Sequence, residues 1–86
     1  MAKFSVGQMV YIRPTSMASE EFREKVHRLG LYSKHPSQVL FRTGIGVCTV
    51  LLPSGTIIPG HSRTFTAGEY AGQEYLDLSE KHLTAA

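Results

Sequence analysis

Val47-Cys48-Thr49-Val50-Leu51-Leu52-Pro53-Ser54-Gly55-Thr56-Ile57-Ile58 is the most β-branched stretch of the chain. β-branched side chains are stiff at χ1 and pack well on a pleated surface, so Val47 to Leu52 is expected to be a strand. Pro53-Ser54-Gly55 is a turn tripeptide, and Thr56-Ile57-Ile58 behind it is expected to return as the second arm of a hairpin. Cys48 alternates with apolar neighbours and is expected to be a small buried hydrophobe in the core.

Working outward, Val6-Gly7-Gln8-Met9-Val10-Tyr11-Ile12 alternates, with Met9 and Tyr11 on one side and Val10 and Ile12 on the other, until Pro14 removes the next ladder donor. Both sides are apolar, so a central strand is expected. Gln38 to Thr43 is a short apolar run and Gly44-Ile45-Gly46 a break. Arg63 to Thr66 and Glu74-Tyr75-Leu76-Asp77-Leu78 alternate again. Ser79 to Leu83 reads as one capped helical turn, and Thr84-Ala85-Ala86 is expected to fray.

One helix interrupts this β pattern, over Ser19 to Leu29. Ser19 is a good N-cap, Glu20 and Glu21 lie at the positive end of the helix dipole, and Lys25, His27 and Arg28 lie at its negative end. Phe22, Val26 and Leu29 form one apolar stripe, and Glu21 to Lys25 and Glu24 to Arg28 are i,i+4 pairs in the favourable order. Gly30 followed by Leu31 is a left-handed stop with its apolar companion. So short a helix is marginal alone, so the stripe is expected to dock on a sheet. Leu31 to Ser37 lacks any period and is expected to be a loop.

The 86 residues, 42% of them apolar and 19% charged, are those of one globular domain spanning 1–86. No apolar run is long enough to span a membrane and no signal-peptide pattern opens the chain, so a cytoplasmic protein without a membrane partner is expected. The single cysteine, Cys48, excludes an internal disulfide and a multi-thiolate zinc site. The net charge is only +2, but it is unevenly laid out. From Lys25 to Gly68 there are five Lys or Arg (Lys25, Arg28, Lys34, Arg42, Arg63) and no carboxylate, whereas Glu69, Glu74, Asp77 and Glu80 face only Lys81.

Short strands with Gly and Pro turns and no crossover helices exclude a parallel α/β sheet, and closure into a small barrel is the economical arrangement. Val6 to Ile12, Gly44-Ile45-Gly46-Val47 with the turn at Pro53-Ser54-Gly55, and Tyr75-Leu76-Asp77-Leu78 running into Ser79 to Leu83 resemble the plan of an SH3-like barrel. The opening Val-Gly-Gln-x-Val and the later Gly-x-Gly-Val are similar to the two halves of the KOW-type variant found in ribosome- and transcription-associated proteins. The resemblance implies a mainly β fold, a small antiparallel barrel of about five strands. The α-helix would be inserted after the first strand, within Thr15 to Ser37, a segment compact KOW units lack, and a short helical turn would close the chain.

Arg42-Thr43-Gly44-Ile45-Gly46 suits either a tight turn or a nest of amides for a phosphate, without being a P-loop. Tyr11, Tyr32, Phe41 and Phe65 interleave with Arg13, Lys34, Arg42 and Arg63, as on a base-stacking surface. Phe41 and Phe65 are expected in the core, and Tyr32, beside Lys34 and His35 in a loop, is the exposed candidate. Cys48 or Ser62 with His61 and Asp77 has the residue types of a nucleophilic triad but no nucleophile elbow. No two of His27, His35, His61 and His82 have the i,i+4 spacing of a helical metal pair, so neither metal nor small-molecule cofactor is expected. The reading is a non-catalytic binding module that contacts nucleic acid, or a nucleic-acid machine, through Lys34, Arg42, Arg63 and Tyr32. The alternative is a protein-protein interaction domain, or a small regulator or inhibitor of a larger enzyme, acting through the helix or the barrel groove.

Overall fold

The helix forms as its local signals require. In the computed structural model, which describes residues 3–86, α1 spans Glu20–Arg28, and the Ser19 hydroxyl accepts the Phe22 N–H at 3.2 Å. Lys25 pairs with Glu21 at 3.1 Å and Arg28 with Glu24 at 2.5 Å. At the far end Gly30 takes φ +76°, its N–H donates to the His27 carbonyl, and the Leu31 N–H reaches back to the Val26 carbonyl at 3.1 Å. That six-to-one closure stops the helix and brings two fully buried side chains, Leu31 and Val26, into one core cluster. Phe22 is buried with them, and Leu29 packs half-buried on the same cluster.

The described residues form one open antiparallel sheet of six strands. In chain order these are β1 Met9–Ile12, β2 Ser37–Gly44, β3 Val47–Leu51, β4 Arg63–Thr64, β5 Glu74–Ser79 and β6 Leu83–Ala85, in the spatial order β4-β5-β3-β2-β1-β6. A 3-10 turn over Glu80–His82, capped by Ser79, links β5 to β6. β1 keeps the expected alternation, with Val10 and Ile12 fully buried and Met9 and Tyr11 facing out. It begins later than expected because a turn at Ser5 to Gln8, with Gly7 at φ +90°, occupies its leading residues. Cys48, Val39, Val50 and Ile58 are fully buried in the same core, as expected for Cys48, and Phe4, Leu52, Leu76 and Leu83 join them.

Several expectations fail for non-local reasons. Val47 to Leu51 does not pair with Thr56-Ile57-Ile58. Its neighbours are β2, through a two-residue turn at Ile45-Gly46, and β5, with Leu51 opposite Tyr75. Pro53 and Pro59 bracket the intended return arm and supply no ladder donors, and Ile58 enters the core from coil instead. Thr84 and Ala85 do not fray, because Leu83–Ala85 pairs with β1. Phe41 is 46% exposed and not in the core. A register shift between Val39 and Phe41 inserts Leu40 into β2, so that two residues of equal parity fall on opposite faces of the sheet. Phe65 is half-buried, stacked on Tyr75 at 4.1 Å. The strand count is six, not about five, and the sheet remains open where a closed barrel was expected.

Candidate functional site

Glu74 decides where the cover of β5 ends. Its carboxylate accepts the Ser62 hydroxyl at 2.9 Å and, on its other oxygen, the Thr64 hydroxyl. Ser62 Oγ in turn accepts the Ile58 N–H at 3.0 Å, and the Ile58 carbonyl accepts from the His61 and Ser62 amides. The segment 58–62 is thereby folded into a tight turn. β4 is left only two residues long, pairing Arg63 with Tyr75 and Thr64 with Glu74. Beyond Tyr75, among the described residues, no strand pairs with that edge of β5, while β3 pairs along the whole opposite edge.

Backbone direction follows from the neighbouring bonds. The Glu74 carbonyl accepts from Leu52 on the β3 side, and the Gln73 carbonyl accepts from Phe65 on the β4 side. Peptide groups of successive residues point to alternate edges, so those of Asp77 and Ser79 point to the uncovered edge. A cleft of about 270 Å³ lies along it, lined by Ala18, Ser19, Phe22, His61, Leu76, Asp77, Leu78 and His82. A second depression of about 200 Å³ shares His61, Leu76 and Asp77 and adds Arg63 and Tyr75.

The polar groups of the cleft are held by identifiable bonds. His82 Nδ1 accepts the Thr15 N–H at 3.0 Å. His61 lies edge-on to Phe22, with ring centroids 5.0 Å apart. Asp77 accepts from the hydroxyls of Thr49 and Thr43, and Thr49 is only 1% exposed. The two ion pairs among the described residues are both on α1, so Asp77 has no cationic partner there. Apolar walls and a free strand edge make a groove that can take an extended chain, and the Asp77 carboxylate lies without a cationic partner among the described residues on the opposite face of the same edge.

Of the residues expected to bind nucleic acid, Arg42 and Arg63 lie on opposite faces of the sheet. Lys34 is exposed in the loop after α1, Arg42 is exposed on β2, and Arg63 is exposed on the edge strand β4. Arg63 shares a face with Tyr75 and Leu51, whereas Arg42 lies opposite Cys48, whose odd offset from Leu51 puts it on the other face. Tyr32 is half-buried and already stacked. The His27 ring lies 4.2 Å from it, the Arg13 guanidinium 5.1 Å, and its carbonyl accepts Arg13 Nε at 3.1 Å. Ile45 and Gly46 form the β2–β3 turn, with Gly46 at φ +68° and Gly44 still paired in β2, and the Gly46 carbonyl accepts the Glu80 N–H at 2.8 Å.

His61 and Asp77 do line one cleft, but neither candidate nucleophile joins them. Cys48 is fully buried, and burial pushes its thiol pKa up. Ser62 is committed to Ile58 and Glu74. No group of three His, Cys, Asp or Glu among the described residues is placed to hold a metal ion. Sequence reasoning missed Ala18 and Phe22 as cleft walls, whereas Arg13, expected among the cations interleaved with the aromatics, does stack on Tyr11 and Tyr32. The alternation of Leu76, Asp77 and Leu78 was the signal for part of the cleft, but strand pairing decides which edge is open. No protein-family model matches this chain, and neither a characterised protein nor a solved structure matches it significantly.

Proposed function

We propose that the chain is a non-catalytic protein-interaction module that takes an extended segment of a partner along the uncovered edge of β5. One observation carries this reading. The sheet is left with polar backbone at Asp77 and Ser79 facing a cleft with apolar walls, the arrangement by which a peptide adds a strand, with side chains set in pockets for specificity. We propose further that the plan is SH3-like, with the sheet open instead of closed. The order β6-β1-β2-β3-β5 and the 3-10 turn between the last two strands support it.

Selection from a random peptide library tests the proposal. Enriched peptides should bind the chain and lose at least about tenfold in affinity, some 1.4 kcal/mol, against Ala18→Trp, which fills the cleft from a half-buried position. An empty selection, or peptides indifferent to that substitution, would count against it. Contact with nucleic acid is the second reading. It is favoured because Lys34, Arg42 and Arg63 are exposed and outside both ion pairs. Replacing all three with Ala should weaken binding across sequences and flatten the salt slope by about 0.7 to 0.9 per lost phosphate contact. A wild-type chain without affinity for DNA or RNA at about 50 mM salt removes this reading.

A further inference from the structure

We infer that the segment bound at the β5 edge has an alternating apolar–basic–apolar pattern, with a Lys or Arg seated opposite Asp77. The inference rests on the peptide-binding reading above and adds the chemistry of the partner. Side chains of a strand alternate between faces, and an added strand places its own in the same alternation. Leu76 and Leu78 point to the face where Phe22 and Ala18 wall the cleft, so the partner residues beside them meet apolar surface. Asp77 points to the other face with Thr49 and Thr43, and a residue directly opposite it would have its Cβ about 4.5–5.5 Å away.

The charge at that position is unmet. Arg63 sits opposite Tyr75, one diagonal step from Asp77, and makes no ion pair with it. His61 and His82, the other titratable side chains lining the cleft, flank the apolar walls. A cation opposite Asp77 completes an opposite-charge pair, whereas a carboxylate there faces a like charge. The same argument disfavours a second copy of this chain as the occupant. Antiparallel pairing of two β5 edges in the register centred on residue 77 brings one Asp77 beside its counterpart, and a charge on an edge strand is a recognised guard against such pairing.

Two peptides test this on the full chain: acetyl-Thr-Val-Arg-Val-Thr-amide and its Glu counterpart at the central position, each titrated while backbone amide shifts are followed by NMR. The Arg peptide should shift the amides of residues 76–79 and bind about three- to thirtyfold more tightly than the Glu peptide. Asp77→Asn, which keeps an oxygen for the Thr49 hydroxyl, should bring the two affinities together. Equal affinities in the wild type, or shifts confined to Glu20, Glu21 and Glu24 of α1, overturn the inference. If neither peptide binds but library peptides blocked by Ala18→Trp exist, the basic pattern is wrong and the groove reading stands. If the library is also empty, both fail.

Discussion

Phe22→Ala removes a ring that is only 6% exposed and is one of two buried side chains on a nine-residue helix. Truncating a core Phe to Ala costs about 3–5 kcal/mol, from lost transfer energy plus the void left behind. Here the void opens into the adjoining cleft of about 270 Å³, so water can enter it, which places the cost near the lower end, about 3 kcal/mol. The edge-on contact with His61 goes as well, and α1 is too short to persist undocked. A domain of this size has a total stability of about 4–13 kcal/mol, so the loss is a large share of it. At roughly 4–8 °C per kcal/mol, the midpoint of a circular-dichroism melt should fall by about 12–24 °C. Met17→Ala, at a position 86% exposed, is the control and should stay within about 0.5 kcal/mol of wild type. A fall of less than about 4 °C for Phe22→Ala would refute the docking argument, because α1 would then contribute little to the fold.

Gly30→Ala should lower the urea midpoint by the equivalent of about 2 kcal/mol. A left-handed backbone costs an L-residue about 1–2 kcal/mol, and the new Cβ would lie 2.9 Å from His35 Cδ2. An unchanged midpoint would mean that the helix stop does not depend on this glycine. Cys48 should react with a water-soluble disulfide reagent far more slowly in the native state than in denaturant, and rapid native labelling would remove it from the core. Burial raises the Cys48 pKa, so above about pH 8.5 the unfolded chain loses a proton that the folded chain keeps, and stability falls as pH rises. Cys48→Val has no thiol to ionise, and its melting point should decline less steeply than that of wild type between about pH 8 and 10, a difference whose absence refutes the linkage.

What the sequence determined by itself is what short-range physics fixes. The Ser19 cap, the Glu21–Lys25 pair and the Gly30-Leu31 stop each involve residues within a turn of one another, and α1 forms between them as read. The period-2 placement of Val10, Ile12 and Cys48 in the core is likewise local, because alternation needs no knowledge of the neighbouring strand. Pairing is not local. The turn tripeptide at Pro53-Ser54-Gly55 promised β3 a partner a few residues away, whereas its partners are β2 and β5, and only tertiary structure chooses between them. One inserted residue in β2 turned Phe41 outward, and register across the sheet put Arg42 and Arg63 on opposite faces, although both lie in one acid-free stretch of sequence. The candidate site belongs wholly to this second class. Leu76, Asp77 and Leu78 could be read as a strand, but its edge is open because Glu74 pins Ser62 and Thr64 and ends β4 after two residues.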